Sequence, residues 1–254
     1  MSEGALFLHA LRFLTIVPVP SAAQLEPDWL IRSAKYFPLV GGLIGGLSAG
    51  VLLAATHLWG GLMSALLAVA ASIVVTGALH EDGLADSADM LGGRGRDARL
   101  KIMQDSRIGT YGTLALGLCV ALRVAALAAL PAHIAAAALI AAHAGGRFAS
   151  LNVMNVVPYA GDVAASKVGH ATDRLRVSEF ACALVVTLIA GAALVALTPW
   201  WTSVAAALVA AILAIGVARL ATRLIGGITG DVLGAIEQLS HLGILLAVAA
   251  AWPR

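Results

Sequence analysis

Continuous apolar runs of about twenty residues, separated by polar connectors, set the pattern of this chain. Six of them, at 39–56, 62–79, 111–130, 132–151, 180–198 and 200–218, are long enough to cross a bilayer as α-helices. A seventh, 242–252, is short. It spans only if its helix begins near Val232 and carries Glu237 and His241 with it. The first apolar stretch, 5–17, is too short to span and ends at Pro18 and Pro20, so it reads as an interfacial or re-entrant helix. Residues 24–35 and 152–178 read as polar connectors, the latter with Asp162, Lys167, Asp173, Arg174 and Arg176. The runs do not alternate over ten residues, which excludes a β-barrel. The expectation is an all-α fold: a polytopic integral membrane helical bundle of six to seven spans plus the N-terminal helix. Residues 1–254 would form a single membrane-embedded catalytic domain.

Composition supports this. Of the 254 residues 60% are hydrophobic and only 12% charged, with a mean hydropathy of +0.93, too few charges to cover a soluble protein. No basic stretch precedes an apolar core near the start and no small-residue cleavage site follows, so a removable signal peptide is not expected. Cys119 and Cys182 lie in apolar spans and read as small buried hydrophobes. Within 39–56, Gly41, Gly42, Gly45, Gly46 and Gly50 form overlapping small-xxx-small pairs. They suit close helix packing, within the subunit or between copies. No Lys-Ser/Thr follows them, which argues against a phosphate loop.

Against this background residues 80–112 stand out. They hold Glu81, Asp82, Asp86, Asp89, Asp97 and Asp105, six of the chain's fourteen acids, with Arg94, Arg96, Arg99, Lys101 and Arg107. Asp82, Asp86 and Asp89 stand at i, i+4 and i+7, which on a helix falls within about 60° of one stripe. Carboxylates this close repel one another unless something neutralises them. A hard divalent cation, Mg²⁺ above all, with a substrate phosphate completing its shell, is the usual answer; the alternative is a solvated helix end whose acids suit the dipole. A second motif, Thr229-Gly230-Asp231 through Leu233-Gly234-Ala235, places an Asp between glycines at a helix mouth. There the backbone N–H groups suit an anion, or Asp231 serves as a cap. Arg107 is placed to grip phosphate. Arg123 and Arg147 lie within spans and should face a polar interior, Arg147 being the weaker phosphate candidate together with Gly230. His143 reads as a packed histidine, and His80 adjoins the acidic stripe. Arg94, Arg96, Arg99 and Lys101 suit either a phosphate collar or lipid-headgroup charges.

The hairpins at Gly60-Gly61, Pro131 and Pro199 carry no Lys or Arg, whereas the N-terminal region and the three long connectors do. The positive-inside rule then puts the N-terminus and both Asp motifs at the cytoplasmic face of the membrane. Ending the chain with a seventh span would put Arg254 outside, a small violation.

Asp82-Gly-Leu-Ala-Asp86-Ser-Ala-Asp89, then Gly92-Gly93, then the run from Ile102 through Gln104-Asp105-Ser106-Arg107 to Gly112, closely resemble the signature of the cobalamin synthase family. The opening Arg12 to Pro20 and the closing Thr229 to Ala235 are similar to that family's ends, so the resemblance covers the whole chain. One departure is that Tyr159-Ala160 is followed by Gly161 where the family often has Arg; an arginine's role there falls away unless Arg147 or Lys167 takes it. The resemblance implies an adenosylcobinamide-GDP ribazoletransferase of the nucleotide-loop steps of vitamin B12 synthesis, dependent on Mg²⁺. It joins adenosylcobinamide-GDP to α-ribazole or its 5′-phosphate and releases GMP. The resemblance also implies residence in the inner membrane of a bacterium. The expected roles are Asp82, Asp86 and Asp89 holding one or two Mg²⁺ on the diphosphate and stabilising the leaving oxygen; Asp231 or Asp105 completing the coordination or orienting the ribose hydroxyl as base; and Arg107 at the phosphoryl oxygens. Besides its two substrates and the bilayer, the implied partners are a second copy and other late-pathway enzymes, with no nucleic acid. A CDP-alcohol phosphotransferase fits less well, because its Asp-Gly-x-x-Ala-Arg pattern is off by one here. An aromatic prenyltransferase lacks its Asn-Asp start. A transporter would place its carboxylates at mid-bilayer.

Overall fold

The computed structural model describes residues 2–19, 28–161 and 174–253. Pro20, Gln24, Asp162, Lys167, Asp173 and Arg254, which carried expectations above, lie outside the described residues. The chain forms α1 (Glu3–Leu14), α2 (Trp29–Ser33), α3 (Phe37–Ala55), α4 (Gly61–Thr76), α5 (Leu79–Asp89), α6 (Arg96–Met103), α7 (Thr110–Ala128), α8 (Ala132–Val156), α9 (Val177–Leu197), α10 (Trp200–Ile225) and α11 (Gly230–Ala251). Among the described residues there is no strand beyond one isolated bridge between Tyr159 and Ile228. It ties the connector after α8 to the turn before α11 through Ala160 N–H to Ile228 O at 2.8 Å and Ile228 N–H to Pro158 O at 3.0 Å.

Six helical segments are long and apolar enough to cross a membrane: residues 29–55 (α2 into α3), α7, α8, α9, α10 and α11. The protein is thus a multi-pass membrane bundle. The final span forms on the condition set by the sequence: its helix begins at Gly230, and Glu237 and His241 are buried against protein, at 1% and 0% exposure, rather than presented to lipid. The second run, by contrast, is not one straight span. It stops at Thr76, and α5 turns away by 90°. Gly77 and Ala78, both left-handed with φ of 60° and 57°, make that break. Gly77 donates to Val74 O and Ala78 to Ile73 O, closing α4. The sixteen residues of α4 extend only about 24 Å, so α4 returns the chain to the connector end as the short limb of a span broken at the bend into α5. The expected polar connector 24–35 is helical from Trp29 on, with Leu30, Ile31 and Ala34 buried.

α3, α8 and α11 form the centre, while α9 and α10 expose Leu188, Ile189, Leu208 and Ile212 on their outer faces, as lipid-facing helices do. The glycine stripe divides. An added Cβ on Gly41 would collide with His143 O, and on Gly45 it would lie 2.7 Å from Ile140 Cα, so both glycines let α3 lie against α8. Gly46 and Gly50 face open space.

At the end of the bundle that carries the long connectors, Arg96 donates to Ile225 O (3.0 Å) and Ala160 O (2.8 Å), and Arg99 to Leu224 O (3.5 Å). Two members of the expected collar therefore cap the C-terminus of α10, where cations suit the helix dipole.

Candidate active site

α5 carries Asp82 and Asp86 on one face, and α11 brings Asp231 against it. Contact between the two helices is backbone to backbone. A Cβ on Gly83 would sit 2.8 Å from Asp231 O, and one on Gly234 3.3 Å from Gly83 Cα. These glycines are what let carboxylates from separate helices converge. Thr229, not Asp231, caps α11: its hydroxyl accepts from Val232 N–H at 3.3 Å. Asp231 sits in the first turn, where its carboxylate accepts the Thr229 hydroxyl at 3.4 Å and the helix dipole favours its charge. The charges of Asp82, Asp231 and Asp89 all bear on Asp86. Among the described residues no Lys, Arg or His lies within ion-pair distance of Asp82, Asp86 or Asp231.

Asp82 stands between two cavities. One, of about 370 Å³, is lined by Glu81, Asp82, Asp86, Gln104, Asp105 and Ser106 among others. The second, of about 190 Å³, has walls of Phe13, Leu30, Phe37, Leu151 and Met154 and a floor that includes His80, Asp82, Gly230, Asp231 and Glu237.

Asp89 is placed otherwise. Both its oxygens accept backbone N–H groups, from Gly109 at 2.7 Å and Gly112 at 2.8 Å, so it caps the N-terminus of α7 from a distant helix. Two of its four acceptor sites are thereby given to the fold. Asp89→Asn is therefore expected to lower stability by about 1 kcal/mol, read as the melting temperature in detergent; unchanged melting would show that α7 does not need this cap.

Asp105 and Arg107 pair with each other on the exposed loop before α7, Arg107 Nη2 lying 2.6 Å and Nε 3.0 Å from the Asp105 carboxylate. This clamp lowers the Asp105 pKa to about 2. Asp105 is thus held by Arg107, whereas Asp231 has no ion-pair partner among the described residues and lines the cavity beside Asp82, so of the two expected bases Asp231 is the better placed.

Beneath the acids lies a buried polar network with little signal in the sequence beyond Arg123, His143 and Arg147. Arg123 bonds Glu81 (3.1 Å), Gln238 (2.9 Å) and Ser72 (3.2 Å). Gln238 donates to Glu81 and Glu237, each at 3.1 Å. Arg147 bonds Glu237 at 2.8 Å and His143 O at 3.0 Å. Arg147 lines the smaller cavity, but its charge is spent on Glu237. His143, Glu237 and His241 lie close enough to hold an ion. Yet the Arg147 guanidinium already bonds Glu237 and lies 3.3 Å from His143 Nδ1, and a second cation there would be repelled. We read this group as the polar joint that fixes α5, α7, α8 and α11 to one another.

The family described as Cobalamin-5-phosphate synthase matches residues 6–249. Curated relatives named adenosylcobinamide-GDP ribazoletransferase include one from Leptothrix cholodnii, 38% identical over 98% of this chain and 97% of its own. Others are from Azorhizobium caulinodans, 41% identical over 94% and 93%, and Bradyrhizobium diazoefficiens, 41% identical over 95% and 92%. No solved structure matches.

Proposed function

Because the chain belongs to the cobalamin-5-phosphate synthase family, we propose that it transfers the adenosylcobinamide-phosphate moiety of adenosylcobinamide-GDP to α-ribazole and releases GMP. A ribose hydroxyl of ribazole attacks the phosphorus attached to the corrinoid arm. The bond from that phosphorus to the bridging oxygen breaks, and GMP leaves with the bridging oxygen. The hydroxyl proton passes to Asp231. The observation that carries this reading is the meeting of Asp82, Asp86 and Asp231 between two cavities with no basic partner. Such a donor set of hard, mutually repelling oxygens fits Mg²⁺. Asp82 and Asp86 would hold the ion, which supplies charge neutralisation of the diphosphate and of the leaving oxygen. Arg107, on its exposed loop, can exchange Asp105 for a phosphoryl oxygen.

We place this face of the bundle, and the N-terminus, on the cytoplasmic side of the inner membrane. Arg12, Arg32, Lys35 and the basic residues of 94–107, 174–176 and 219–223 all lie on segments at that end. Protein reconstituted in lipid nanodiscs with both substrates is expected to form cobalamin and GMP one to one, to stop in EDTA and to recover with Mg²⁺. GMP release without ribazole, or turnover in EDTA, would overturn the proposal.

A further inference from the structure

We propose that the smaller, apolar cavity is the seat of the acceptor's base: the dimethylbenzimidazole ring of ribazole lies among Phe13, Phe37, Leu151 and Met154, with its ribose toward Asp82 and Asp231. This rests on the ribazole-transfer reading and assigns its two substrates to opposite sides of Asp82. Three observations carry it.

The first is size. An apolar cavity of about 150 Å³ already takes benzene, so one of about 190 Å³ that opens on one side admits a fused bicycle and leaves the sugar outside. A corrin macrocycle is far too large. The second is polarity. The cavity's walls are apolar, and its polar groups gather at the floor: the Ser150 hydroxyl donates to Leu233 O at 2.8 Å, Arg147 Nη1 bonds Glu237 while its Nε has no partner, and His80, Asp82 and Asp231 stand beside them. A guanine seated among Phe13, Leu30, Phe37, Leu151 and Met154 would bury O6, N7 and its N–H groups against carbon, and unmet buried polar groups are costly. Within ribazole the dimethylbenzimidazole has no N–H, a single acceptor nitrogen and two methyl groups, so it buries far fewer polar atoms and these walls suit it. The third is shape. Phe13 and Phe37 are stacked, 5.7 Å apart and 14° from parallel, and Trp29 meets Phe13 edge-on at 6.0 Å. Phe13 and Phe37, nearly parallel, line the cavity and Trp29 backs Phe13 from outside it, so the wall offers aromatic rings for a planar base to pack against. The larger cavity, with Glu81, Asp86, Gln104, Asp105 and Ser106, is then left to the diphosphate and nucleotide of the donor.

The test is steady-state kinetics on full-length protein in nanodiscs, varying each substrate in turn. Met154→Trp fills the cavity, and it should raise KM for ribazole tenfold or more while KM for adenosylcobinamide-GDP moves less than twofold. Free 5,6-dimethylbenzimidazole should inhibit wild-type protein competitively against ribazole and not against the donor. Equal changes in both KM values, or no change in either, would overturn the assignment. So would competition by the free base against the donor, or competition by guanosine against ribazole. Should Met154→Trp not fold, Phe13→Ala together with the wild-type inhibition pattern decides. If wild-type protein makes no cobalamin from the two substrates, the ribazole-transfer reading itself fails; wild-type turnover with an unmoved ribazole KM in the variant fails the cavity alone.

Discussion

Replacing Asp82 with Ala is expected to lower the rate of ribazole transfer by a factor on the order of 10³ or more while leaving the protein folded. Asp82 stands where the two cavities meet. It makes no ion pair among the described residues and is solvent-exposed. Removing it therefore costs the fold little. A metal clamp on a transferring phosphoryl group supplies several kcal/mol, and each 1.36 kcal/mol is tenfold in rate. Single-turnover transfer and the melting temperature, measured on the same preparation, separate the two effects. Near-native rates in Asp82→Ala at saturating Mg²⁺ would remove this residue from the chemistry.

The second large effect is on stability. Arg147 and Glu237 are 2% and 1% exposed at the side chain, and their bond joins α8 to α11. Arg147→Met leaves a buried carboxylate facing the Gln238 amide and His80 without its cation. Breaking one side of a buried pair costs about 3–5 kcal/mol, which for a chain of this size lowers the melting temperature by roughly 10 °C. The double change Arg147→Met with Glu237→Met removes both charges and should recover much of that loss, because a buried pair replaced by apolar groups is often close to neutral. Loss of donor affinity in Arg147→Met, with melting unchanged, would instead show that Arg147 serves the substrate phosphates directly.

The acids of the site were legible because function imposes local spacing. Asp82 and Asp86 are one helical turn apart, and the period alone placed them on one face of α5. The Gly-Asp-Val-Leu-Gly motif at the start of α11 was equally visible, since glycines beside an acid mark close backbone approach. What escaped was decided by partners far along the chain. Asp89 has the same spacing as its neighbours, yet two of its lone pairs go to Gly109 and Gly112, twenty and twenty-three residues on. Nothing local distinguishes a metal carboxylate from a remote helix cap. Arg147 looked like an anion site because a charge in a span must be satisfied, but its partner Glu237 is ninety residues away. The same pairing explains the last span. Hydropathy penalised Glu237 and His241, whereas in the fold they face protein. The break at Gly77-Ala78 left no mark in hydropathy either, since both residues are small and apolar. The aromatic cavity is assembled from α1, α3, α8 and α11 and has no signature within any one of them.

The central claim is that Asp82 and Asp86 hold a divalent cation against the diphosphate. Mn²⁺ bound to nanodisc-reconstituted protein, followed by electron paramagnetic resonance with adenosylcobinamide-GDP present, tests it most directly. The bound signal should appear in wild-type protein and be lost in Asp82→Asn and Asp86→Asn. An unchanged bound signal in Asp82→Asn and Asp86→Asn would contradict the account.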